Sequence, residues 1–289
     1  MFNRWKNTMW FNYAMLLAGV LCISWSAILV KIANVSGLSS GFYRMFFGAL
    51  VLMPFWLAYR KPINSLRGLK VAMLCGVFFA LDIALWNTSI MLSKASVSTL
   101  LANLAPVWVG LGAIFILKEK PKRIFWIGTV ISLVGVVVIV GYEALFSSKI
   151  NIGNILAIAA SMFYGAYLLT VRKGRNSMDT FNFTMVSMLA SVVVLALLML
   201  FWGESFGNYE PKAWWALLAL GVVPQVLGWL AINQALGHIK PTIASVSLLS
   251  QTVFTALFSI PVLGELLSWQ EIIGAVIVLG GVYLVNARK

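Results

Sequence analysis

Apolar residues run along the chain in ten long blocks, and the polar residues gather in the short gaps between them. A spanning helix needs ~20 apolar residues. The blocks fall at roughly 12–34, 38–59, 68–92, 95–117, 123–142, 151–172, 178–202, 212–236, 241–263 and 268–286. Pro62, Pro121, Pro211 and Pro241 stand at the junctions, where helices start or stop. Pro106, Pro224 and Pro261 lie inside blocks and predict kinks. The pattern predicts an all-α integral membrane protein with ten transmembrane helices.

Composition agrees. Of the 289 residues, 61% are hydrophobic and 10% charged, and the mean hydropathy is +0.95. A soluble domain is about half apolar and about a quarter charged. Cys22 and Cys75 both fall in apolar blocks and read as small core residues rather than a disulfide framework. His238 is the only histidine, and no metal-type spacing of Cys and His occurs, so neither metal nor cofactor is expected. A phosphate-binding glycine loop is absent, which argues against a nucleotide-driven pump. Arg4 and Lys6 precede the first block and read as the start of an uncleaved first helix.

The formal charge of +13 would suggest nucleic acid in a soluble protein. Here the placement of the charges explains it. With the N-terminus in the cytoplasm, 16 of the 21 basic residues fall on the inner side, and only Lys31, Arg44, Lys94, Lys149 and Lys212 on the outer side or outer half. That is the positive-inside rule. It predicts a multi-pass protein of the cytoplasmic (inner or plasma) membrane with both termini cytoplasmic, and it leaves nucleic acid nothing to explain.

A shift of 146 residues lays "NTSIMLSKASVSTLLANLAPVWVGLGAIFILKE" (87–119) on "NQALGHIKPTIASVSLLSQTVFTALFSIPVLGE" (233–265) without a gap. Asn87 meets Asn233, Lys94 meets Lys240 and Glu119 meets Glu265; further on, Gly128 meets Gly274 and Gly135 meets Gly281. Roughly a quarter of positions agree from 87 to 140. The first spans of each half align loosely, Trp25-Ser26-Ala27 on Tyr164-Gly165-Ala166. The reading is two five-helix repeats, 1–145 and 146–289, in one membrane domain. An odd number of spans per repeat inverts the second copy. Inverted repeats mark many secondary transporters, whose substrates bind near the midplane.

These residues also resemble a known family. "WSAILVKIA", "FYRMFFGALVL", "FFALDIALWNTSI", "STLLANLAPVWVGL", "ILKEKP" and "IGTVISLVGVVVI" are similar to the EamA-type transporters of the drug/metabolite transporter superfamily. So, in the second half, are "GVVPQVLGWLAINQAL", "ASVSLLSQTVFTAL" and "VLGELLSWQEIIGAVIVLGGVYLV". Each motif alone is soft; their order and spacing are more specific. The resemblance implies two inverted five-helix repeats around a central cavity, and alternating access without ATP. It implies exporters of amino acids, metabolites, purines or drugs, with a few importers. Family patterns carry a proline where this chain has Thr252, counterpart of Pro106, so one kink is expected to be missing from span nine.

Asp82 is the first candidate for chemistry. It lies near the middle of span three, where a carboxylate costs ~2.5–3.5 kcal/mol on insertion scales and should face the interior or a water-filled cavity. Helical spacing puts Phe79, Asp82, Trp86 and Ser89 on one face. Asp82 either exchanges a proton, binds a cationic group of the substrate, or is a structural carboxylate fixed by Arg44 or by hydroxyls. Arg44 is in turn a candidate ligand for a substrate carboxylate, with a snorkelling or paired structural arginine as the alternative. Asn103, Gln225 and Gln251 lie at mid-depth, as helix-bridging or cavity-facing amides. Trp25, Trp86, Trp108, Tyr164 and Tyr167 lie deep enough to line a pocket, although packing suits any one of them as well. Trp5, Trp10, Trp56, Trp126, Trp214, Trp215 and Trp269 read as interfacial belts. Glu119 and Glu265 read as helix-end anchors, His238 as a polar end residue and Lys31 as a snorkelling lysine.

The sequence thus points to a transporter, not an enzyme, that moves a small organic solute: an amino acid or related metabolite, a purine or a drug-like amine. Export is favoured over import. The expected partners are that solute, the bilayer and, as an option, protons; monomer and homodimer both stay open. A membrane-embedded sensor of the same fold without transport is the alternative.

Overall fold

The computed structural model describes residues 9–92, 95–141, 152–264 and 267–287. The readings for Trp5, Lys94, Lys149 and Glu265, and for the charges at both chain ends, lie outside these residues. Among the described residues the protein is all-helical, with nine helices long and apolar enough to cross a membrane and one shorter apolar helix. In chain order they are α1 (Met9–Ala33), α2 (Gly37–Tyr59), α3 (Leu66–Leu92) and α4, in two pieces, Ala95–Ala102 and Ala105–Phe115. Then come α5 (Arg123–Val140), α6 (Ile152–Arg175), α7 (Thr180–Trp202) and α8 (Pro211–Leu236). The last two are α9, again in two pieces, Pro241–Leu248 and Ser250–Leu263, and α10 (Trp269–Ala287). The protein is multi-pass, and the ten predicted blocks agree with the helices to within a few residues.

Local chemistry sets the helix ends. Ser36 caps α2 by accepting from the Ser39 amide at 3.1 Å. Asp179 caps α7, its Oδ1 accepting from the amides of Phe181 and Asn182 at 3.0 and 3.2 Å. Asn34, in the left-handed region at φ 48°, closes α1. The surface is far more apolar than that of a soluble protein. Large apolar side chains such as Trp10 (86% exposed), Phe201 and Ile273 face outward, while Asn12, Ser39, Gln225 and Asn233 are buried. Hydrocarbon as the surrounding solvent accounts for that pattern.

The chain forms two compact units, Met1–Leu81 with Thr170–Lys240, and Asp82–Leu169 with Pro241–Lys289. In the first unit, α2 packs on α7 and α8, and α1 packs on α8. Middle residues of α8, Gly221–Gly228, form a π-helical stretch around Pro224. Proline has no N–H to donate to the helical ladder, and a wide turn absorbs the loss.

In the second unit the dominant contact is α5 against α10. Gly128 faces Gly281 and Gly135 faces Gly274 so closely that a Cβ added at Gly135 would lie 2.6 Å from the Val278 nitrogen and 2.8 Å from the Gly274 carbonyl. Small residues here let two backbones meet. Leu100, Val136, Leu249, Val253 and Val278 form the adjoining core.

One expectation is overturned. Span nine was expected to lose its kink because Thr252 replaces proline, yet α9 is interrupted after Leu248. The equivalent point in α4, 146 residues earlier, is Ala102, where that helix is also interrupted. Serines take the part of proline in α9. The hydroxyls of Ser245, Ser247 and Ser250 each donate to a carbonyl three or four residues back, at 3.0, 3.0 and 2.6 Å. Such bonds compete with the helical ladder and bend it. The backbone tightens to three-residue spacing, with the Leu249 amide bonding Val246 and the Thr252 amide bonding Leu249, both at 3.1 Å. Pro54, inside α2, is a further interior proline that the block pattern did not single out.

Candidate substrate-binding site

Two of the predicted residues, 181 positions apart, meet in the first unit. Arg44 Nε donates to Gln225 Oε1 at 2.9 Å. The arginine comes from the second turn of α2 and the glutamine from the π-helical stretch of α8, next to Pro224. Gln225 is 2% exposed, so its amide is fixed by its surroundings. Its stem crosses Gly48, one turn beyond Arg44, where an added Cβ would lie 2.9 Å from Gln225 Cγ and 2.8 Å from Met188 Cε. The guanidinium carbon also sits 5.9 Å from the centre of the Phe79 ring. Phe79 in turn meets Trp229 edge-on, with ring centres 4.7 Å apart. Arg44 is thus held by an amide at one edge and an aromatic face nearby.

The arginine is half-buried although its partner Gln225 is buried. The bond therefore runs from a partly accessible charge inward to a buried amide.

Toward the opposite end of α8, arginines close the helix. Arg172 Nη1 donates to the Gly237 carbonyl at 2.5 Å, and Arg175 donates to the carbonyls of Asn233 (3.2 Å) and Met178 and to Gln234 Oε1 (3.4 Å). Cations suit the negative end of a helix dipole. Asn233 Nδ2 donates to Thr184 Oγ1 at 3.1 Å and ties α8 to α7. His238 is exposed beside the Gln234 carbonyl, as a polar end residue should be.

Asp82 lies on α3 where the chain enters the second unit, three residues after Phe79 and half-buried. Trp86, one turn further, has its Nε1 buried without a hydrogen-bond partner. Trp108 Nε1 donates to Ser161 Oγ at 2.7 Å, which joins α4 to α6. Tyr164 and Tyr167 lie near each other on α6, with ring centres 6.5 Å apart and planes 17° apart; Tyr167 is buried and Tyr164 half-buried. Asn103 stands at the interruption of α4 and Gln251 just past that of α9, both half-buried. Trp25, in the first unit, marks the interruption of α1 between Ile23 and Ser26.

Sequence reasoning named Arg44 and Gln225 separately and did not join them. It missed Trp229, Thr184 and Ser161, the residues that brace the named ones. For Gln225 a signal existed: Pro224 flanked by Gly221 and Gly228 within one apolar block. For the others none did, since nothing local distinguishes a bracing serine from a packed one.

Comparison with known proteins bears on the chain as a whole. A model of the EamA-like transporter family matches the chain twice, over residues 10–141 and 151–287. An uncharacterized transporter of Archaeoglobus fulgidus is 26% identical over 288 residues, covering 95% of this chain and 97% of its own length. The pseudopaline exporter of Pseudomonas aeruginosa is 24% identical over 249 residues, 85% of this chain and 82% of that protein. An S-adenosylmethionine uptake transporter of Rickettsia prowazekii is 29% identical over 99 residues, about a third of either chain. A solved crystal structure shares the fold with a TM-score of 0.81 at 18% identity, covering 96% of this chain and 97% of its own.

Proposed function

The chain belongs to the EamA-like transporter family, and from that premise we propose that it is a secondary or facilitative exporter of a small organic solute, working by alternating access. The solute is an amino acid or related metabolite, a purine or a drug-like amine. The observation that carries the reading is Arg44, a cation inside a membrane span, tethered to a buried amide at the π-helical stretch of α8 yet still partly accessible. Intramembrane charges of this kind line substrate and ion pathways.

The residues that serve the solute or a proton in this reading are Arg44, Gln225, Trp25, Asp82, Trp86, Asn103, Gln251, Tyr164 and Tyr167. Asp82 is the residue that exchanges a proton with the cycle. The name of the Pseudomonas relative supports export, and that of the shorter Rickettsia match shows that its own direction is uptake. The basic residues support a cytoplasmic-membrane protein with both termini inside.

The test is reconstitution. Amino acids, nucleosides and amines are screened for thermal stabilisation of the purified protein, because a ligand that binds only the folded state raises its melting temperature. Each hit is then followed across proteoliposomes. Saturable flux supports the transporter; stabilisation without flux would support a sensor of the same fold.

A further inference from the structure

We infer that the turn from α2 into α3, with the first turn of α3, is a binding surface for the headgroup of an anionic phospholipid.

Charge is the first observation. Arg60, Lys61, Arg67 and Lys70 fall within eleven residues, and all four are exposed. The acids of the first unit are Asp179, Glu204 and Glu210. Glu204 accepts from Ser36 and Ser39 at the far end of α2, and Glu210 precedes Pro211 at the start of α8, whose Trp214 meets Tyr43 near that same far end. Only Asp179 lies at the end that carries Arg60. Its oxygens already accept from the amides of Phe181 and Asn182 and from Asn182 Nδ2, at 2.7 to 3.2 Å. One carboxylate spent on a helix cap thus stands against four cations.

Depth is the second. With 23 residues, α2 is ~35 Å long and crosses the ~30 Å of hydrocarbon. The turn after it therefore lies at the level of the headgroups. Tyr59 and Leu66, 74% and 68% exposed, flank the cations there. Cations beside exposed apolar side chains match a phosphate joined to acyl chains. A soluble anion would leave Tyr59 and Leu66 in water.

The turn is also braced. Trp56 Nε1 donates to Asn182 Oδ1 at 2.7 Å, and Asn182 Nδ2 donates to the Lys61 carbonyl at 2.8 Å. The Arg60 guanidinium carbon lies 5.0 Å from the centre of the Trp56 ring. Ser65 Oγ accepts from the Gly68 amide at 3.0 Å and starts α3. The backbone that carries the cations is held in place, which makes a site out of what would otherwise be diffuse charge.

The experiment titrates the full chain in detergent with dioleoyl phosphatidylglycerol or dioleoyl phosphatidylcholine and counts bound lipid by native mass spectrometry. Each Lys or Arg near an anionic surface is worth about fivefold. Wild type is expected to hold phosphatidylglycerol about 10- to 100-fold more tightly, with the preference shrinking as salt rises. Arg67→Gln with Lys70→Gln leaves the contacts of Trp56, Asn182 and Lys61 intact and should remove most of that preference. Adding Arg60→Gln and Lys61→Gln should bring the two lipids to near parity. The control changes Lys118, Lys120, Lys122 and Arg123 to Gln, which removes equal charge from a turn where Glu119 sits among the cations, and should keep the preference. An equal loss in the control would reduce the effect to net charge and overturn the site. So would a preference that survives all four changes at 60–70. Displacement of the lipid by an equal concentration of glycerol phosphate would mean a soluble-anion site and overturn the lipid reading.

Discussion

The hydroxyl of Ser132 on α5 donates to the carbonyl of Val278 on α10, at 3.3 Å. These residues are 146 positions apart, the same shift that aligns the two halves of the sequence. A residue that touches its own counterpart sits on the axis relating the two. The flanking glycines obey the same relation: Gly128 faces Gly281 and Gly135 faces Gly274, and each of these is the counterpart of the other pair's member.

Backbone contact of this kind leaves no room for a side chain. Gly135→Leu should therefore lower the melting temperature in detergent by the equivalent of about 1–3 kcal/mol, the usual cost of overpacking a tight site. Gly280→Leu on the facing helix, α10, is the control, because an added Cβ there meets nothing within 4 Å. Equal melting of both variants would contradict the packing.

Pro224→Ala tests the wide turn. Restoring the N–H lets α8 return to α-helical spacing, which turns Gln225 away from Arg44 by one residue, about 100°. Flux of the identified solute should fall about tenfold, the worth of one charge-assisted bond, while the melting temperature holds or rises. Undiminished flux would mean that the π-helical stretch does not position Gln225.

Asp82→Asn keeps the size of the side chain and removes both its charge and its proton. Transport should drop to background with insertion and folding intact, read as flux in proteoliposomes beside a thermal-shift control. Full transport with an unchanged pH profile would remove Asp82 from the proposed cycle.

Arg175→Ala should destabilise the first unit by about 2 kcal/mol or more, since charge-assisted bonds to the Asn233 carbonyl and to Gln234 Oε1 near the end of α8 are lost. Arg175→Lys should rescue little, because one ammonium does not reach partners spread over a planar fork. Melting curves of the two variants decide it.

Much of this was legible beforehand, for definite reasons. Hydrocarbon thickness fixes the length of a span, so hydropathy located all ten helices. Proline has no N–H, so Pro106 announced the interruption of α4. The interruption of α9 was hidden because serine breaks the ladder only by choosing a backbone carbonyl over other partners, which composition does not reveal. Arg44 and Gln225 could be suspected individually, as polar groups where polar groups are costly. Their bond spans 181 positions and depends on a wide turn whose residues are as apolar as any other helix, so only the fold could supply it.

The glycine contact between α5 and α10 has a consequence for ancestry. It is self-complementary, the isologous kind of surface that two copies of one chain use to form a symmetric pair. A half-length ancestor would need only one such helix, since a second copy brings the matching face. In that ancestor a single change at the position of Gly128 would strike the contact twice. In the present chain Gly128 and Gly274 are separate positions, so a change at one strikes the contact only once.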